Sequence, residues 1–115
     1  MDLEEFRQRC LRKPGTTEEL PFGPGALVFK VAGKMFALAH LDGFASVNLK
    51  CDPERAVQLR EEHEGIRPGY HMNKKHWNTV RMDGSVKDAL VVELLDHSYA
   101  LVRSSLPRNM QARLE

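Results

Sequence analysis

A chain of 115 residues that is 42% hydrophobic and 29% charged has room for a single core and is too apolar to stay disordered. Its formal net charge of +1 gives no whole-molecule attraction to nucleic acid or to an anionic membrane, so any such affinity must come from local charge. Residues 1–10 are too poor in apolar side chains for a secretory leader, and no run approaches the roughly 20 apolar residues of a membrane span.

The expectation is a soluble cytoplasmic protein. Its two cysteines, Cys10 and Cys51, show no CxxC spacing and are expected to be reduced. The first segment sets Leu3, Phe6, Cys10 and Leu11 on one helical face, with Asp2 able to cap it and acids early, bases late. Pro14-Gly15 stops that helix. Residues 16–25 read as a loop rich in proline and glycine.

From Leu27 the period changes to two. Three alternating runs are separated by Ala32-Gly33 and Asp42-Gly43, which predicts a three-stranded antiparallel meander. Met35, Ala37, Ala39 and Leu41 share one face by simple alternation. The other face then carries Lys30, Phe36, Leu38, His40, Asn48 and Lys50. Asp52 and Pro53 open a second helix that Gly65 closes.

A loop to about Lys75 and a strand over Trp77–Met82 follow, and Asp83 or Ser85 starts a last long helix through Leu90, Leu94, Leu95, Ser98, Tyr99 and Val102. Pro107 ends it, and residues 107–115 are expected to fray. The whole reads as one α+β domain over residues 1–115. Its order is α-β-β-β-α-β-α, with an antiparallel sheet packed against helices on one face.

No enzyme is expected. Cys51 precedes a helix N-terminus, which lowers a thiol pKa, but a small apolar cysteine is more often core. There is no GxSxG, no phosphate-binding glycine loop and no carboxylate pair at a catalytic spacing. His71 and His76 stand five apart without an acid or cysteine between them, so neither a metal nor a cofactor is expected.

The informative stretch is RPGYHMNKKHWNTVRM, residues 67–82, which holds no acid. Arg67, Lys74, Lys75 and Arg81 supply charge, Asn73 and His76 supply hydrogen bonds, and Trp77 supplies a stacking plane. Lys34 sits at the first hairpin tip. Basic residues interleaved with aromatics suit a phosphate backbone or unstacked bases. Each residue alone also has a plainer use: a lone tryptophan is more often a core plug, and paired lysines often guard an edge strand.

Several segments together resemble the MmcQ/YjbR family of small bacterial proteins, from about Cys10 to Leu106. They are Pro21-Phe22-Gly23, Gly33-Lys34-Met35-Phe36, Leu49-Lys50-Cys51, Asp96-His97-Ser98-Tyr99 and the run Pro68 to Trp77. The resemblance implies a compact α+β fold related to frataxin-like and secretion-chaperone-like domains. It also implies DNA binding through a double wing of β-hairpins, and it supplies no catalytic residues.

Three functions follow as expectations. The first is weak, salt-sensitive DNA binding. Lys34, Lys74, Lys75 and Arg81 would meet phosphates, Asn73, His76 and Trp77 would meet base edges, and Arg67 lies in the same cluster. The second is a protein-interaction module that uses an open sheet face with exposed Phe36 and Leu38, or the last helix. The third is a small-molecule site at Tyr70, His71 and His76, if a concave pocket converges there.

Overall fold

The computed structural model describes residues 1–114. The seven expected elements occur in the expected order, joined by two short strands and a C-terminal helix. They are α1 (Leu3–Leu11), β1 (Thr16–Glu19), β2 (Ala26–Val31), β3 (Lys34–His40), β4 (Ser46–Lys50), α2 (Pro53–Glu62), β5 (Ile66–Pro68), β6 (Trp77–Arg81), α3 (Asp88–Ser104) and α4 (Arg108–Arg113). One antiparallel sheet runs β1-β2-β3-β4-β6-β5.

The helices lie on one face of that sheet. Phe6 of α1 meets Phe29 of β2 edge-on, with ring centroids 6.0 Å apart, and Tyr99 of α3 meets Phe36 of β3 at 5.2 Å. Phe6, Phe29 and Phe36 are fully buried. Each aromatic removed from water contributes about 1.5–3 kcal/mol. Capping is as the sequence predicts at α1 and α2: Asp2 accepts from the Glu5 amide at 2.8 Å, and Asp52 accepts from the Arg55 amide at 3.2 Å. The last long helix starts later than expected, at Asp88, because Asp83 and Ser85 close a local turn instead: the Ser85 amide donates to Asp83 Oδ1 at 3.0 Å.

A β-bulge overturns the simple alternation in β3. Phe29 pairs with Ala37 but Lys30 pairs with Met35, leaving Phe36 as an extra residue without a partner. Phe36, Ala37 and Ala39 therefore join the helix-side core, while Met35 moves to the open face beside Leu38 and His40. The expected exposed Phe36 is wrong for this reason. Leu38 does lie on the open face but is only 6% exposed.

Residues 16–19, expected as loop, form edge strand β1. Hydrophobic alternation is absent there because ion pairs hold the strand on both faces. Glu18 takes two hydrogen bonds of 2.7 Å from Arg7 of α1, and Glu19 takes Lys30 at 2.7 Å. Pro68 is tolerated in β5 because that strand is also an edge.

The expected frayed tail is instead α4, and its Met110 and the Leu114 that caps it pack back on the core. Glu115 lies outside the described residues. None of the helices among those residues is long and apolar enough to cross a membrane.

Candidate functional site

Two polar segments were singled out from the sequence, and the fold uses them differently. In Asp96-His97-Ser98-Tyr99 every side chain is spent on holding the domain together. Asp96 pairs with Lys13, and His97 Nε2 accepts from the Asp52 amide at 3.2 Å. Ser98 Oγ donates to the Phe36 carbonyl at 2.5 Å and accepts from the Lys50 amide at 2.9 Å, so one hydroxyl bridges β3 and β4 just beyond the last pair of their register, Ala37 with Leu49. Tyr99 donates to the Pro14 carbonyl at 2.5 Å.

The other segment, residues 67–77, crosses from β5 to β6 by a loop folded back over the open sheet face. Gly69 starts it with a close approach: a Cβ there would lie 2.8 Å from Trp77 Cβ. Thr79 Oγ1 accepts from the Tyr70 amide at 2.9 Å and donates to Asn48 Oδ1 at 2.7 Å, and Asn48 Nδ2 donates to the Tyr70 carbonyl at 3.1 Å. Buried Asn48 is thus the clasp of the loop.

Arg60 of α2 is a second clasp. It donates to Asn78 Oδ1 at 2.7 Å and to the Trp77 carbonyl at 3.3 Å, and also binds the Lys74 carbonyl. Sequence reasoning missed Arg60 because the partners lie on a strand and loop far along the chain. Asn78 itself is buried against α2 and donates to the Ala56 carbonyl at 3.4 Å.

The expected site residues divide accordingly. Lys34 sits at the tip of the β2–β3 hairpin, a two-residue turn with positive φ at both Ala32 and Gly33. Antiparallel pairing of β3 with β4 and of β4 with β6 sets Lys34, Lys50, Trp77 and the loop carrying Lys74 and Lys75 at one end of the sheet. Arg67 is exposed on edge strand β5, opposite Thr79. Among the described residues no ion pair involves Lys34, Lys50, Arg67, Lys74 or Lys75.

Arg81 does not join them. It pairs with Ser46 at the opposite end of β6, about 13 Å away at strand rise, and lies 3.4 Å from Asp83. Asn73 is committed to its own turn, with Oδ1 accepting from the Lys75 amide at 2.9 Å. His76 is half-buried and continues the β4–β6 ladder, its carbonyl accepting from the Cys51 amide at 2.8 Å. Trp77 is half-buried on the open-face side of β6, neither core plug nor free platform.

The loop and the sheet enclose a cavity of about 380 Å³. Leu38 and Met35 line it from β3, Phe22 from the β1–β2 loop, and Tyr70, His71 and Met72 from the β5–β6 loop. Tyr70 and His71 rings stand 4.0 Å apart, and His40 meets Tyr70 edge-on at 6.1 Å. Phe22 and Met72 were not read as site residues, and Leu38 only as part of an open protein-docking face. Only the exposed Phe22 in a Pro-Phe-Gly turn carried a local signal.

Both cysteines are free and buried. Burial pushes both thiols up, and at Cys51 it outweighs the opposing pull of Arg55 and Arg60. Among the described residues no three His, Cys, Asp or Glu side chains group as a metal cage.

A single sheet with helices on one face and a loop-capped cavity on the other defines a small two-layer α+β protein. A family model described as YjbR matches residues 11–101. The chain is 36% identical over 115 residues to the protein YjbR of Escherichia coli K12, covering 99% of this chain and 98% of that one. It is 41% identical over 112 residues to YbdF of Escherichia coli O157:H7, covering 96% and 92%. The crystal structure of Deinococcus radiodurans protein DR2400 superposes with a TM-score of 0.92 at 39% identity, over 97% of this chain and 86% of that one. A Pseudomonas syringae crystal structure gives 0.75 at 29% identity, over 89% and 99%. The chain belongs to the YjbR family. The names of these relatives state no activity.

Proposed function

We propose that this chain is a non-catalytic nucleic-acid-binding protein that meets DNA with the lysine-bearing end of its sheet. The observation that carries this reading is the gathering of Lys34, Lys50, Lys74 and Lys75, none in an ion pair among the described residues, at that single end. Lysines committed elsewhere, such as Lys30 to Glu19 and Lys13 to Asp96, have no charge to spare for phosphate. Two turns, the β2–β3 tip and the 69–76 loop, bear the free cations and flank the ends of β4 and β6. Arg81 stands outside this contact set because of its distance from it and its proximity to Asp83.

The reading that makes the sheet face a protein-docking patch would draw support from Phe36 and Leu38 in solvent, and burial of both weakens it. Binding through about three phosphates gives a log–log salt slope of roughly −3. Fluorescence anisotropy of labelled duplex and single-stranded DNA at two salt concentrations tests it. Saturable binding with that slope, weakened in a Lys74→Ala/Lys75→Ala variant, supports the reading. No binding at low salt, where charge attraction is least screened, overturns it.

A further inference from the structure

We infer that the cavity on the open sheet face is a binding site for a small, uncharged, planar aromatic molecule that presents an N–H group. Its volume of about 380 Å³ lies within the roughly 300–1,000 Å³ of small-molecule sites. No Asp, Glu, Lys or Arg lines it. A charge buried there would lose its hydration without gaining a counter-ion, so phosphates and carboxylates are poor occupants and a neutral ligand is the match.

The shape and rim point to a flat ring. Phe22 is 72% exposed and Tyr70 60% exposed, on two different loops at the edge of one cavity. Large aromatic groups left in water beside an apolar cleft gain most from a partner that covers both. Tyr70, His71 and His40 form a continuous wall of rings, against which an aromatic occupant can stack or pack edge-on. Met35 and Met72 complete the lining with side chains that adapt to an irregular outline.

Polar recognition falls to the lining atoms left without a partner among the described residues, His40 Nδ1, the His71 ring nitrogens and the Tyr70 hydroxyl. Asn48 is already engaged with Thr79 and with the Tyr70 carbonyl. His40 Nε2 faces Asn48 Oδ1 at 3.4 Å. A carboxamide oxygen only accepts, so Nε2 carries the proton and Nδ1 is the acceptor. Nδ1 has no partner among the described residues and is an acceptor for the ligand's N–H.

The wall is also held ready. The loop is pinned through Asn48, Thr79 and Lys74, whose ammonium donates to the Gly69 carbonyl at 3.1 Å, and His71 keeps a left-handed backbone with φ of 58°. Little ordering entropy is then lost on binding.

The test is an ¹⁵N–¹H NMR titration of the full chain with indole, alongside 1-methylindole and, as an aliphatic control of similar size, cyclohexylmethanol. Saturable indole shifts confined to the amides around Phe22, Leu38, His40 and Tyr70–Met72 are expected. Affinity should fall about tenfold in Phe22→Ala, an exposed position whose truncation leaves folding intact, and about fivefold for 1-methylindole. Shifts that scatter or fail to saturate, unchanged affinity in Phe22→Ala or for 1-methylindole, or a control alcohol that binds as tightly as indole would each overturn the assignment. No nucleic acid enters this readout, so its outcome is independent of the DNA experiment.

Discussion

Residues 96–99 and 67–77 are both rich in polar groups, yet one is closed and the other half open. In the first, Asp96, His97, Ser98 and Tyr99 all end on partners from other elements. In the second, backbone groups are taken up by Asn48, Thr79 and Arg60, and Asn73 by its own turn. Arg67 and Lys75 end in solvent, Lys74 reaches only the Gly69 carbonyl, and Tyr70 and His71 border an apolar cavity. A polar motif therefore indicates function only after its bonding capacity has been counted. What remains unspent in 67–77 is charge at the sheet end and aromatic surface over the sheet face.

Breaking the closed segment should cost the most. Ser98→Ala leaves both the Phe36 carbonyl and the Lys50 amide without their side-chain partner in the interior, and two buried unsatisfied groups predict a loss of about 2–4 kcal/mol in urea denaturation. A loss under about 0.5 kcal/mol, the range of ordinary surface changes, would show that these groups find other partners.

Removing the clasp of the open segment should cost less. Asn48→Ala is expected to lower stability by about 1–2 kcal/mol, with hydrogen exchange at Tyr70 and its neighbours accelerating more than in the core strands. Uniform acceleration instead would mean that the loop opens only when the whole domain unfolds. The Lys74→Ala/Lys75→Ala variant, which loses the Lys74 hydrogen bond to the Gly69 carbonyl, should lower stability by about 1 kcal/mol or less while it weakens DNA binding.

The smallest effect is set by pH. His97 must be unprotonated at Nε2 to accept from the Asp52 amide, and burial, aided by Arg55, holds its pKa below 6.5. A group with a depressed folded pKa contributes stability that is present above the unfolded value and is lost as pH falls through the folded one. Unfolding midpoints should therefore decline below pH 6.5, and His97→Gln should flatten that decline. An identical slope in the variant would assign the pH dependence to other groups.

Much of this was legible in the chain. Asp-Pro at the start of α2, the dipole-ordered charges of α1, the Ala32-Gly33 and Asp42-Gly43 turns and the 3.6-residue stripe of α3 are local signals, because capping, turn chemistry and periodicity act over a few residues. The edge strands were not: β1 is held by ion pairs to α1 and β2, and β5 is three residues long, so neither leaves a periodic trace.

Sequence by itself determined the type and order of seven of the ten elements and the concentration of cations in residues 67–82. Tertiary structure alone decided which of those cations are free, that Arg81 lies at the far end of β6, and that Phe36 turns inward. It also built the cavity. These depend on strand register, and a single unpaired residue in β3 reverses the facing of its neighbours because side chains alternate with a period of two.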